Sequence, residues 1–477
     1  MKVLVTNPPW PGPGYGVRSD VRWPHKRKDK YIEYPLYLGY TVAVLKEAGI
    51  DACFLDGIVD ELSIDDFSNA AAKIRPDMVV IECSTPSIDY DLATAKALKE
   101  KLPNLFTVLL GSHPTFFHKE ILEENPFVDG ICRGEFEYTL RDLALSLSKN
   151  RDISKVDGLS WRDASGIHFN PQRPLVDDLD EIPFPDRDIV KIEPYQTAHY
   201  GGLKGTSVCT SRGCPYGCTY CLWPNTMYGK KFRARSPENV VEELQQLEEK
   251  YDVKEIYFDD DTINFNKARL IKICQLIRER GIKLKWFCQA RVDKVDEELL
   301  KEMKAAGCYN IFFGVESGSQ RIIDKIKKGI KLEDAQRAFA LCRKLGIKTQ
   351  AFFLLGIPGE TQAEMKQTVE FAKSLKPSSA QFAIVVPHPG TKLYEECKSN
   401  GWLRVNQWKD FAACNAIIET ENFSKEDVDT IRLYAHRHFY FRPTFIFDTL
   451  KRMSNLRETR KVFRGAKSII GRLLFYR

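Results

Sequence analysis

The chain has 477 residues, 43% hydrophobic and 29% charged, with a net charge of +6, and that length exceeds what one core organises, so two or more domains are expected. No apolar run reaches the roughly 18 residues of a membrane span, and the opening MKVLVTNPPWPGPG does not resemble an export signal, so neither a spanning nor a secreted protein is expected. Thirteen cysteines in such a chain point to a reducing cytoplasm, where thiols serve metal binding or packing.

Residues 1–150 alternate short β-like runs with helical ones. The predicted strands are KVLVTN (2–7), DACFLD (51–56), MVVIECS (78–84), FTVLLGS (106–112) and DGICRG (129–134), with helices near 36–48, 64–74, 89–101, 115–124 and 136–148. Apolar strands alternating with helices predict a parallel sheet covered on both faces, a Rossmann-like domain. Its ligand belongs at the carboxyl ends of the strands. Those ends carry Asn7, Pro8, Ser84, Thr85, Gly111, Ser112, His113, Gly134 and Glu135. No G-x-G-x-x-G follows the first strand, which argues against a dinucleotide.

Residues 151–200 are rich in Pro and Asp and read as a linker, with a hairpin at WRDASGIHF. A second alternating block spans 201–395. Its strands are TSVCTS (206–211), EIYFDD (255–260), KWFCQAR (285–291), NIFFGVES (310–317), TQAFFLLG (349–356) and AQFAIVVP (380–387). Ser236 and Pro237 open its first helix as N-cap and first-turn residue, and Val240, Val241, Leu244, Leu247 and Tyr251 give it an apolar face. Six such units predict a partial (β/α)6 barrel, with active residues at the C-terminal strand ends.

The stretch CTSRGCPYGCTYCLWPN lies directly after the first of these strands. Cys214, Cys218 and Cys221 are spaced C-x3-C-x2-C, and thiolates hold iron–sulfur clusters, a [4Fe–4S] cluster ordinarily taking four. Three at this spacing leave one iron open. A closed structural zinc site wants four ligands, with Cys209 the available fourth, and ordinary buried thiols are the bland alternative. Placement at a barrel mouth favours the cluster. Tyr220, Asp259, Asp260, Gln289, Arg291, Glu316, Ser317, Gly356 and Gly359 belong to the same opening. Their bland readings are a helix cap for the aspartates, a Glu316–Arg291 pair and plain turn geometry for the glycines.

Taken together, the cysteine motif, VESGS after the fourth strand, GIPGET after the fifth and PHPGT after the sixth resemble the radical SAM superfamily. The preceding domain, with GSHPTF, RGEFEYTL and LDEIPFPDRD, resembles its cobalamin-binding subgroup. CLWPNT (221–226) resembles, over six residues only, radical SAM proteins of hopanoid lipid biosynthesis.

The resemblance implies that Cys214, Cys218 and Cys221 hold a [4Fe–4S] cluster whose open iron binds S-adenosylmethionine, cleaved reductively to a 5′-deoxyadenosyl radical. It places Glu316 and Ser317 at the ribose, Gly356 to Gly359 near the adenine, and Asp259 and Asp260 near the methionine ammonium, with Tyr220, Gln289 and Arg291 around them. Asn7, Pro8, Ser84, Thr85, Gly111, Ser112, His113, Gly134 and Glu135 would line cobalamin. The D-x-H-x-x-G motif is missing, so cobalamin is expected without a histidine below the cobalt, His113 lining the cofactor rather than ligating it.

The implied activity is methyl transfer to an unactivated carbon of a lipid-like or other small molecule. Cyclisation or rearrangement without net methylation is the alternative. A transfer RNA methylthiotransferase and a non-catalytic cobalamin sensor stand further off. A flavodoxin or ferredoxin would donate the electron, and no nucleic-acid partner is expected.

The last region, 396–477, is predicted mainly helical. From Arg432 onward it carries 12 Lys/Arg and 2 Asp/Glu, a charge of +10 that leaves −4 for the rest. A solvated basic helix is one reading and peripheral contact with the inner membrane face the other.

Overall fold

The computed structural model describes residues 1–12, 14–18, 25–27, 31–149, 151–195, 203–412 and 415–452. Buried apolar runs assemble a first sheet from β1 (Lys2–Asn7), β2 (Asp51–Asp56), β3 (Met78–Glu82), β4 (Phe106–Leu110), β5 (Gly130–Cys132), β6 (Leu159–Asp163) and β7 (Gly166–Phe169). The order is β2-β1-β3-β4-β5-β6-β7, the first five strands parallel. Chain order reverses between β1 and β3, where such sheets open a ligand crevice.

The linker reading of 151–200 needs correcting. The hairpin β6–β7 pairs antiparallel with β5 and extends the first sheet. A three-residue β5 would otherwise leave an open edge, and the hairpin covers it. The helix expected at 115–124 is also two, Ser112–Phe116 and His118–Glu124, broken at Phe117.

The second sheet consists of β8 (Gly205–Val208), β9 (Glu255–Phe258), β10 (Lys285–Ala290), β11 (Cys308–Glu316), β12 (Lys348–Leu355) and β13 (Ser379–Ile384), all parallel and in chain order. This is the open six-stranded barrel expected. TSVCTS is not one strand: β8 stops at Val208, and Ser211–Arg212 turns away to pair with Arg233–Ala234. The Asp260 carboxylate accepts hydrogen bonds from the Thr210 and Ser211 hydroxyls, which fixes that turn.

Outward residues of the barrel strands pack under helices, while Tyr257, Phe287 and Phe312 form a separate inward cluster. The first barrel helix, Pro237–Glu249, begins at Ser236, whose hydroxyl accepts the Asn239 N–H. Helix α1 (Leu36–Glu47) is buried along almost its whole length because it sits between the two sheets. Its Tyr37 ring lies 5.6 Å from Trp223 and 5.4 Å from Tyr228, just beyond the cysteine loop.

In the C-terminal region α2 (Lys425–Tyr440) packs against the barrel's open edge. The Tyr440 hydroxyl donates to the Ala380 carbonyl and accepts its N–H at 3.1 Å. Helix α3 (Pro443–Arg452) follows, and residues 453–477 of the basic tail lie outside the described residues. No helix among the described residues is long and apolar enough to cross a membrane.

Candidate functional site

The three cysteines occupy a loop whose tip, Pro215 and Gly217, faces solvent while Cys214, Cys218 and Cys221 are half-buried. Three sides of the barrel hold that loop. Cys214 N–H donates to the Gly229 carbonyl at 3.3 Å, Thr219 N–H to Ile326 at 3.0 Å, and Leu393 N–H to the Thr219 carbonyl at 3.0 Å. Asp261 accepts the Gly213 N–H at 3.2 Å, and the Cys214 thiol lies 3.5 Å from the Thr262 hydroxyl. None of the three is in a disulfide. Among the described residues no three His, Cys, Asp or Glu side chains already converge as a metal cage. The fit to a cluster rests on the donors: three thiols on one anchored eight-residue loop beside a buried cation. Cys209 is buried apart from them, its thiol donating to the Ser211 carbonyl.

That cation is Lys328. Its Nζ lies 2.7 Å from Glu316 Oε1, with side chains 11% and 3% exposed. Burial works against the ammonium, but Glu316 and Cys218 outweigh it and hold Lys328 above its ordinary range. Burial pushes the Cys218 thiol up, with Lys328 pulling the other way. Glu316 sits at φ +72 beside a register shift in β11, a strained placement that concentrates at functional sites. Its Oε2 is buried with no hydrogen-bond partner among the described residues. Tyr220 is buried close by, its hydroxyl raised by burial and by Glu316.

The pairing of Glu316 with Arg291 does not form. Arg291 instead donates to Asp293 at 2.9 Å and to the carbonyls of Lys328 and Gly329, its guanidinium 3.5 Å over the Tyr216 ring. It thereby locks the cysteine loop to the segment carrying Lys328.

Two other expected contacts, Asp260 and Ser317, are used structurally. Asp260 is fully buried and engages both carboxylate oxygens with Thr210 and Ser211, so it braces the turn rather than facing the opening. Ser317 is buried against Thr368 at 3.2 Å and accepts the Ser319 N–H. Gln289 donates to the Tyr257 hydroxyl. Asp259 is buried at the end of β9, its N–H on the Val208 carbonyl. Gly356 and Gly359 both adopt φ +81 in a turn closed by Glu360, which accepts the Gly356 and Ile357 N–H groups.

At the first sheet, Gly111 has φ +113, and a Cβ there would meet the Cys83 carbonyl oxygen at 2.1 Å, so only glycine fits. Of Pro8, Ser84, Thr85, Gly111 and Ser112 beside the switch point only Ser112 is part-exposed; the other four are buried, and the Trp408–Phe411 turn packs over Thr85–Ser87. His113 is packed 4.8 Å from the Phe117 and Trp408 rings, its Nδ1 3.2 Å from the Thr85 hydroxyl. Asn7 is tied to Asp56 at 3.0 Å and to Arg18 at 2.9 Å. Gly134 N–H donates to Thr115 at 3.0 Å.

Glu135 is not a rim residue. It pairs with Arg212 at 2.7 Å and Arg233 at 2.9 Å, while Arg212 also holds Glu137 at 2.7 Å, all four side chains at most 5% exposed. Burial pulls the Glu135 carboxyl up, but the two guanidiniums outweigh it and keep it below its usual range. Arg212, two residues before Cys214, thus bolts the cysteine loop to the carboxyl end of the first sheet. Sequence reasoning missed Arg212, Arg233, Glu137 and Lys328. TSRGC and RGEFEYTL were each visible, but their pairing spans more than seventy residues.

Family models match in two places: the Radical SAM superfamily over residues 208–372 and the B12 binding domain over residues 26–144. The chain is 35% identical over 410 residues to an uncharacterised methyltransferase, PH0819, of Pyrococcus horikoshii, covering 86% of this chain and 88% of the other. It is 27% identical over 455 residues to the anaerobic magnesium-protoporphyrin IX monomethyl ester cyclase of Rubrivivax gelatinosus (94% and 78% covered). Identity is 26% over 415 residues to the hopanoid C-3 methylase of Methylococcus capsulatus (85% and 77%). The fold is similar to that of OxsB, a cobalamin-dependent S-adenosylmethionine radical enzyme, with a TM-score of 0.72 at 21% identity over 98% of this chain and 70% of that one.

Proposed function

The chain belongs to the radical SAM superfamily, in the branch that carries a B12-binding domain, and from that premise we propose that it methylates an unactivated carbon of a lipid-like small molecule. The observation that carries the reading is the Arg212–Glu135 bolt, which sets the cysteine loop against the carboxyl end of the first sheet, one junction for two cofactors. When bound, the cluster supplies the electron that cleaves S-adenosylmethionine and cobalamin supplies a transferable methyl group.

In this reading Cys214, Cys218 and Cys221 hold the cluster. Lys328 keeps a positive charge beside Cys218, and Glu316, with an oxygen to spare, orients the S-adenosylmethionine ribose from its strained position. Asp259, Gln289 and the Gly356–Gly359 turn complete that pocket, and Arg291 holds the loop still. Pro8, Ser84, Thr85, Gly111, Ser112 and His113 line the cobalamin end, His113 as a wall held by Thr85. The aromatic layer of Tyr257, Phe287 and Phe312 closes the barrel interior against water.

A lipid-like substrate suits both the hopanoid methylase among the relatives and the C-terminal region. There Phe441 and Phe447 are 54% and 58% exposed beside the basic tail, which supports peripheral contact with an anionic membrane. Cyclisation without methylation is the second reading, favoured by the cyclase likeness over 94% of the chain. Incubation of the anaerobically reconstituted protein with methyl-deuterated S-adenosylmethionine and a cellular lipid extract separates them. A product carrying the deuterated methyl is expected; substrate-dependent 5′-deoxyadenosine with no label in any product overturns methyl transfer.

A further inference from the structure

We infer that the Trp408–Phe411 turn, carried by the C-terminal region, is a movable wall of the cobalamin site: it lifts to admit the cofactor and then closes against it. The inference stands on cobalamin binding at the carboxyl ends of the first sheet, and it holds whichever reaction follows.

The residues that follow β3 and β4 are already covered. Ser84 and Thr85 are at most 1% exposed and His113 is 3% exposed, although the switch point between β1 and β3 is where such a sheet opens to its ligand. The turn lies over two of them. The Trp408 ring is 4.8 Å from His113, edge to face, and 5.3 Å from Phe117. The turn also packs on Thr85–Ser87 and on the helix Ile88–Lys101. His113 is fixed beneath it, with its Nδ1 3.2 Å from the Thr85 hydroxyl. Side chains this buried offer a corrin ring no contact surface, so Thr85 and His113 meet the cofactor only with the turn displaced.

The way the turn is held suits it to moving. Among the described residues no hydrogen bond or ion pair joins Trp408–Phe411 to the first domain. Rings hold it there, helped by charge: burial raises the Asp89 carboxyl, and the nearby Lys409 ammonium draws it back. Elsewhere on the seam Arg212, Glu135 and Arg233 form buried ion pairs at 2.7 and 2.9 Å. Ring contacts are weaker than the loss of such a pair, so the turn can part from the first sheet while the two domains stay bolted. Gln407 and Lys409 are exposed and Trp408 half-buried, so lifting the turn newly uncovers little beyond Trp408 and Phe411.

Its other attachment is to the barrel. Phe411 lies 5.3 Å from Trp408 and 6.4 Å from Tyr394, on the helix Lys392–Ser399. The preceding Leu393 N–H donates to the Thr219 carbonyl in the cysteine loop at 3.0 Å. The wall over the cobalamin end is thus braced on the barrel, not only on the sheet it covers.

The test mixes hydroxocobalamin with full-length apoprotein, parent and Trp408→Ala, and follows binding and release by the cofactor's absorbance. Loss of the ring contacts favours the open turn, so both rates are expected to rise about tenfold or more. Hydrogen exchange on the parent needs no substitution. The segment 403–412 should exchange more slowly with cobalamin bound than without, while the 159–169 hairpin at the far edge of the sheet exchanges alike in both. Equal exchange of 403–412 in the two states overturns the inference, as do parental rates in Trp408→Ala. Failure of the parent to take up hydroxocobalamin overturns the cobalamin site itself, and the wall with it.

Discussion

Arg212 Nη1 stands 2.7 Å from Glu135 Oε1 across the seam between the two sheets, both side chains almost wholly buried. Each partner is held further, Arg212 by Glu137 and Glu135 by Arg233. Removing one member of a buried ion pair leaves an uncompensated charge and costs about 3–5 kcal/mol. Arg212→Ala is therefore expected to destabilise by that order in urea unfolding and to lower iron retention after reconstitution. Wild-type stability in that variant would show the network to be idle.

Glu316 and Lys328 form a second buried pair, 2.7 Å apart beneath Cys218. Lys328→Met strands Glu316 and Glu316→Gln strands Lys328, each at a cost of about 3–5 kcal/mol. The double variant leaves neither charge and should lose less than the sum, by a coupling of about 1–3 kcal/mol. Additive losses in a double-mutant cycle would contradict direct pairing.

Glu360 gives a pH signature. Burial pushes its carboxyl up to about 8, against the opposing Gly356 and Ile357 N–H groups. The unfolded chain releases this proton near the ordinary carboxylate value, so it binds fewer protons than the folded chain at intermediate pH. Stability is then lost as pH rises from about 5 to about 8 and levels off above. Glu360→Gln keeps an acceptor and cannot ionise, so its stability relative to the parent should climb across that window in urea titrations. A constant difference between the two proteins from about pH 5 to about pH 8.5 would contradict the assignment.

The described part of the C-terminal region ends in exposed Phe441, Ile446 and Phe447. The full chain should co-sediment with anionic vesicles at low salt, each basic residue near the surface adding on the order of 1 kcal/mol. High salt should release it. Equal binding to neutral vesicles would contradict the electrostatic reading.

Periodicity and punctuation made the elements readable. KVLVTN and DACFLD end where β1 and β2 end, because parallel strands read as apolar runs, here stopped by Asn and Asp. The strand-end rule pointed to the carboxyl end of each sheet. It says nothing about which way a side chain turns once there. Asp260, Ser317 and Glu135 all stand at strand ends, yet each points inward to Thr210, Thr368 or Arg212. Their partners lie 50 residues or more away, so local pattern carries no trace of them. The hairpin at 159–169 was legible as a hairpin, but its pairing with β5 was not, since β5 is only three residues long.

In the proposed function Cys214, Cys218 and Cys221 together hold the site that cleaves S-adenosylmethionine. The direct measurement is 5′-deoxyadenosine formation by anaerobically reconstituted protein under dithionite, for the parent and for Cys214→Ala, Cys218→Ala and Cys221→Ala. Cleavage by the parent is expected, with loss of both bound iron and cleavage in every variant. Cleavage at the parental rate by any one of the three variants would contradict it.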